Sequence, residues 1–106
     1  MLYELREYRI RKGKMRQWLK LFEEEIVPFQ VSKGMVIPGS FTAVKLPLTF
    51  IWLRRFRNEA ERARLYRKVY GTDHWEKVIQ PQVDAVLDVS AIVVTQLTPT
   101  ARSVLQ

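Results

Sequence analysis

Cysteine is absent from this 106-residue chain, which excludes disulfides and thiolate metal sites and fits a reducing compartment. One histidine is present, and a metal site needs ligands that cluster, so no metal is expected. No apolar run approaches the ~20 residues that a membrane helix requires, and the N-terminal stretch lacks the apolar core of a secretion signal. The expectation is a cytoplasmic protein with no membrane insertion. A glycine-rich phosphate loop, a nucleophile elbow and a pair of catalytic carboxylates are also missing. No cofactor is expected.

What is present is an ordinary globular composition, 47% apolar and 27% charged, over a length that suits one domain spanning 1–106. The formal charge is +7, which would favour a nucleic-acid partner if it were gathered on one face. It is scattered instead. Arg9, Arg11, Lys12, Lys14 and Arg16 form one group and Arg54 to Lys68 another, interrupted by Glu23–Glu25, Glu59 and Glu61. A solvated basic surface is the expectation, and a nucleic-acid partner is not.

The opening stretch LYELREYRI, residues 2 to 10, has strand character but no plainly apolar face. One alternate row is Tyr3, Leu5, Glu7, Arg9; the other is Leu2, Glu4, Arg6, Tyr8, Ile10. Each mixes apolar with charged residues. Beyond a turn at Gly13, the spacing of Met15, Trp18, Leu19, Phe22 and Ile26 predicts an amphipathic helix. Pro28 should kink it or end its regular part, and Gly34 should stop it. A strand bulged around Pro38 and Gly39 follows.

LTFIWLRRF is the clearest strand, with Phe50, Trp52, Arg54 and Phe56 on one face and Ile51, Leu53 and Arg55 on the other. Asn58 and Glu61 write a capping box for the next helix, which Gly71 ends. A short helix restarts at Thr72 and should be limited by Pro81. DVSAIVVTQL reads as the last strand, and residues 98–106 as an extension that drapes over the rest.

Strand, helix, strand, strand, broken helix, strand is the order of an α+β, ferredoxin-like fold: a four-stranded antiparallel sheet with helices on one face. Both rows of the central strand carry large apolar groups, and one helical layer covers only one of them. A second copy, sheet against sheet, is the expected cover, so a homodimer is predicted.

Three blocks carry a family resemblance: YELREYRIRKGKMRQWLKLFEEEIVP, FIWLRRFRNEAERARLYRKVYGTDHW and LTPTARSVL. They resemble the NIPSNAP family, whose members begin with a Tyr-Glu-x-Arg-x-Tyr strand and carry a mid-chain Trp-x-Arg-x-Phe/Tyr strand before a helix containing Glu-Arg. The resemblance implies a ferredoxin-like subunit in a dimeric α/β barrel, related to small monooxygenase and isomerase domains. It implies no defined reaction. The segment AVKLPL departs from the acidic turn of related sequences, so no function is read from charge around that hairpin.

Matched to that motif, Arg6 would hold an anion or carbonyl and Tyr8 would act as a donor, at the floor of a cleft beneath the helices. The same row can instead be a buried polar network that fixes strand register or the dimer seam. Trp52 and Arg54 can join that pocket floor, or Trp52 can be core while Arg54 pairs with Glu4. Tyr66 and Tyr70 can present hydroxyls to the sheet, or pack with their hydroxyls at the rim. His74 is the one obvious proton handler near neutral pH, or a surface residue at a helix start. Two functions follow. One is a dimer, or higher oligomer, that binds a small organic molecule and can act as a cofactor-free monooxygenase- or isomerase-type enzyme. The other is a non-catalytic scaffold whose polar row is structural.

Overall fold

The computed structural model describes residues 1–106. Strands β1 (Leu2–Arg9), β2 (Val36–Ala43), β3 (Leu46–Phe56) and β4 (Val93–Leu97) form one antiparallel sheet in the order β2-β3-β1-β4. Helices α1 (Met15–Leu21), α2 (Val27–Ser32), α3 (Glu59–Tyr70) and α4 (Gln80–Val86) pack on one face. This is the ferredoxin-like arrangement. The two central strands are β1 and β3, so the polar row and the Trp-Arg row are neighbours.

The even-numbered row of β1 faces the helices. Trp18, Phe22 and Ile26 of the first helical stretch pack there with Phe50, Trp52 and Phe56 of β3. Edge-to-face rings, such as Phe22 on Trp52 at 5.1 Å between centroids, fill the layer. Met15 and Leu19, expected on the same stripe, are only partly buried.

Pro28 and Pro81 both sit inside continuous helical stretches, by one device. A π-helical turn, Phe22–Ile26, joins α1 to α2, and another, His74–Ile79, leads into α4. In each the wide turn is closed by an i→i−5 bond, Val27 N–H to the Phe22 carbonyl and Gln80 N–H to the Trp75 carbonyl. Proline lacks a donor and crowds the carbonyl four residues back. A widened turn just before Pro28 and Pro81 relieves both. The helix therefore runs on through Pro81 to Val86, rather than being limited by it.

The last strand begins at Val93, not near Asp88. Asp88 instead accepts from the Ser90 amide and starts a short 3₁₀ turn, Val89–Ala91. The β2 register slips between Val36 and Gly39, at the expected bulge. Gly34 ends α2 with φ of 106°, a conformation L side chains rarely adopt. Asn58 caps α3, its side chain accepting from the Glu61 amide at 2.9 Å. Glu61 reaches back one residue further than a capping box requires, to the Arg57 amide. Asn58→Ala should cost about 1 kcal/mol and lower the melting temperature by about 5 °C, read by circular dichroism.

The opposite sheet face carries Leu5, Ile51, Leu53, Phe41, Val93 and Leu97. Phe41, Val93 and Leu97 are exposed. Its one covered corner is Tyr3, whose hydroxyl donates to the Gln106 main-chain carbonyl at 2.9 Å, so the tail does drape over the sheet.

Candidate functional site

Pairing of β1 with β3 sets Glu4 opposite Arg54, Arg6 opposite Trp52 and Tyr8 opposite Phe50. All of these lie beneath the helices, which settles the ambiguity of the opening strand: its polar row is the buried one.

Arg54 is fully buried, and its donors are engaged. Nε and Nη2 contact Glu4 Oε1 at 2.9 and 2.8 Å. Nη1 donates to Gln30 Oε1 and to the Tyr70 hydroxyl at 3.1 and 2.6 Å, and Nη2 to the Tyr66 hydroxyl at 2.8 Å. Four hydrogen bonds and the Nη2–Glu4 ion contact engage all three nitrogens of the guanidinium. One side chain thus ties β1, α2 and α3 to β3.

The other oxygen of Glu4 accepts from Arg62 Nε at 2.7 Å and from the Tyr66 hydroxyl. Arg6 and Arg62 also donate to that hydroxyl, each at 3.3 Å. Arg62 also donates to Glu59 at 3.0 Å, so three guanidinium groups meet two carboxylates and the cluster keeps one positive charge in excess. Burial pushes the Glu4 carboxyl upward, but Arg54 and the bonds from Tyr66 and Arg62 more than reverse it, leaving it below the usual carboxylate range. Burial, with the bond to Glu4, pushes Tyr66 up to about 12 against the opposing pull of Arg54. Tyr66 is a neutral donor near pH 7, not a base.

Beside this network is a cavity of about 90 Å³ between sheet and helices. Arg6, Tyr8 and Trp52 form its floor, Trp18, Ile26 and Gln30 one wall, and Tyr70, Trp75 and Val83 another, with Val89 and Ile92 at the β4 side. The chain's three tryptophans all line it. None of the lining residues is Asp, Glu, His or Cys. Arg6 donates through Nε to the Tyr8 hydroxyl at 2.9 Å, and Nη2 has no protein partner. Burial works against the Arg6 charge, yet Tyr8 and Tyr70 more than offset it and hold the group above its ordinary value.

Three buried donors have no acceptor in the protein: Trp18 Nε1, Trp52 Nε1 and Gln30 Nε2. All three belong to cavity-lining side chains. An indole nitrogen can only donate, and the Gln30 amide is oriented by Arg54, which requires its oxygen. Each such donor costs about 1–3 kcal/mol when left unpaired. Stability alone does not account for three at one place.

The structure thus groups Arg6, Tyr8, Trp52 and Tyr70 around the cavity, while Arg54 and Tyr66 lie outside its lining, in the network behind it. His74 is not brought to the cleft. It is exposed on the π-helical turn, its ring 4.8 Å from Phe29. Gln30, Arg62 and Trp18 also take part, and the sequence alone does not mark them as site residues. Gln30 follows Phe22 and Ile26 at steps of four, a polar residue on a buried stripe. Arg62 precedes Tyr66 by the same step. No group of His, Cys, Asp or Glu side chains is arranged to hold a metal.

The NIPSNAP family model matches residues 3–103. The chain belongs to the NIPSNAP family. A NIPSNAP family protein of known structure from Agrobacterium tumefaciens is 29% identical, covering 99% of this chain and 98% of its own, with a TM-score of 0.88. A second protein from the same organism, Atu4242, is 23% identical over the whole of both chains, with a TM-score of 0.90. An antibiotic biosynthesis monooxygenase shares the fold at 17% identity and a TM-score of 0.71, covering 94% of this chain and 99% of its own. No curated protein matches. This NIPSNAP chain has no helix long and apolar enough to cross a membrane.

Proposed function

We propose that this NIPSNAP protein binds a small organic molecule in the cavity between sheet and helices, and works as a homodimer. The observation that carries the reading is the cavity itself. It is an aromatic chamber with Arg6 and Tyr8 on its floor and Gln30 and Tyr70 in its walls, the composition of a ligand site: mostly apolar, with a few convergent polar groups. Arg6, Tyr8, Trp52 and Tyr70 are its contacts. Arg54 and Tyr66 position them. In catalytic form the same donors would stabilise an oxyanion developing on the ligand. An antibiotic biosynthesis monooxygenase has the same fold, which fits an oxygenase-type reaction here; the isomerase-type and cofactor-free readings rest on the family resemblance.

The Glu4–Arg54 network favours a second reading, a non-catalytic scaffold in which the polar row only holds the fold, because its bonds are internal. One variant separates the two. Val89 lines the cavity and is half exposed, so Val89→Phe should obstruct the mouth without straining the core. With all three tryptophans as reporters, small-molecule titrations of intrinsic fluorescence should saturate in the wild type and be flat in the variant, with melting temperatures within about 3 °C. A wild type indifferent to every compound, or a variant responding identically, leaves the scaffold reading standing.

A further inference from the structure

The polarity of the cavity specifies its ligand more narrowly than its position does. We infer that the ligand is a short-chain carboxylate carrying a second oxygen acceptor, as in a 2-oxo acid. This rests on the cavity being the binding site proposed above.

Every polar group available to a guest can donate. Trp18 Nε1, Trp52 Nε1 and Gln30 Nε2 are donors without protein acceptors, and Arg6 Nη2 is a charged one. The Tyr8 and Tyr70 hydroxyls accept from Arg6 and Arg54, so their own hydrogens remain to give. The other amide on the lining, Gln80, is occupied, accepting from Trp75 and donating to Asp84. No carboxylate or imidazole faces the space. A guest that brought positive charge would find no carboxylate to receive it, one rich in N–H groups would find only the second lone pairs of oxygens already engaged, and one that brought only hydrocarbon would leave the donors unpaired. An oxygen-rich anion matches them: Arg6 and the two hydroxyls directly, and the buried indole and amide donors after a small side-chain shift.

Charge points the same way. Arg54 and Arg62 are answered by Glu4 and, for Arg62, by Glu59, which leaves Arg6 at the cavity with no carboxylate contact of its own, a charge that a guest can balance. One carboxylate suits Arg6, while two indoles and an amide offer more donors than a carboxylate beside Arg6 uses. Hence the second acceptor. Size sets the chain length. At the ~15 Å³ that one water-sized group needs, about 90 Å³ gives room for about six heavy atoms. Val83, Leu87 and Ile92 suit a short alkyl end.

The indole N–H signals of the ¹⁵N-labelled protein give the test. Trp75 Nε1 already donates to Gln80 Oε1 at 2.8 Å, so it serves as an internal control. Pyruvate at pH 7 should shift the Trp18 and Trp52 indole signals saturably, with Trp75 moving least. Acetate should bind more weakly, and pyruvamide, neutral and bearing N–H groups, at least tenfold more weakly. Arg6→Ala should weaken pyruvate at least tenfold while Arg6→Lys retains more, with folding checked by circular dichroism. Equal binding of pyruvamide, or identical shifts from chloride at matched ionic strength, would overturn the carboxylate assignment yet leave a cavity that binds. Silence of the Trp18 and Trp52 signals toward acids, amides and neutral aromatics alike would overturn the binding site with it.

Discussion

Glu4→Gln should lower the stability of the folded chain by roughly 3–5 kcal/mol and its melting temperature by roughly 15 °C or more. Arg54 is fully buried, and without the Glu4 charge it has only neutral oxygens left, from Gln30, Tyr66 and Tyr70. A cation taken out of water needs more than that. Tyr66 loses its charged acceptor at the same time, and Arg62 keeps only Glu59 on its own helix, so α3 loosens from β1. Denaturant melts of the single variant and of Glu4→Gln/Arg54→Met check the origin of the loss. The double variant should recover part of it, since no unpaired charge stays buried. A loss under about 1 kcal/mol in the single variant would mean that the network does not hold the helices to the sheet.

The same residue sets a pH dependence. The folded Glu4 carboxyl titrates below its ordinary value of 4.5. Its contribution is therefore complete above about that pH and is lost as pH falls through the lower, folded value. Between pH 5 and 3 the wild type should lose stability more steeply than Glu4→Gln. A similar slope for the two would assign acid sensitivity to other carboxylates.

The strand order and the helix caps could be read from the sequence because they depend on local signals: alternation in LTFIWLRRF, an Asn three residues before a Glu, a glycine at a helix end. The sequence also put Arg6, Tyr8 and Trp52 on one strand face each. It did not show which face of β1 was buried, because the energy that makes a Glu-Arg-Tyr row tolerable inside comes from Arg54 and Tyr66, about fifty and sixty residues away. Helical templates also fail at Pro28 and Pro81, since a 3.6-residue period has no place for the wide turn that accommodates a proline.

Trp18 is the instructive residue. Its spacing marks it as core, and it is core by packing. That its N–H has no acceptor depends on what stands across the cavity, which no pattern in one helix records. His74 errs in the other direction: its chemistry draws notice, but its place on the turn keeps it in solvent.

Ile51→Arg is expected to turn the proposed dimer into a folded monomer. Ile51 sits mid-strand on the helix-free face, in register with Glu7 on one side and Phe41 on the other. In a lone subunit the new guanidinium reaches water and can pair with Glu7 across the strands, which costs the fold little. In a two-fold, sheet-on-sheet dimer the substitution occurs twice in one interface. Taking the new guanidinium out of water at the seam, even beside Glu7, costs at least about 3 kcal/mol, so two copies cost roughly 6 kcal/mol, or about four decades in Kd. The alternative on this face is a sheet covered only by its tail, and that makes a different prediction. Phe41, Val93 and Leu97 would then stay exposed in solution, and the substitution would change nothing that sedimentation can see. Sedimentation velocity across a hundredfold concentration range decides. A wild-type dimer beside an Ile51→Arg monomer of unchanged circular dichroism places the second subunit on this face. A wild type that is monomeric throughout leaves the face uncovered and removes the dimer from the proposal, and the cavity beneath the helices must then work within one chain.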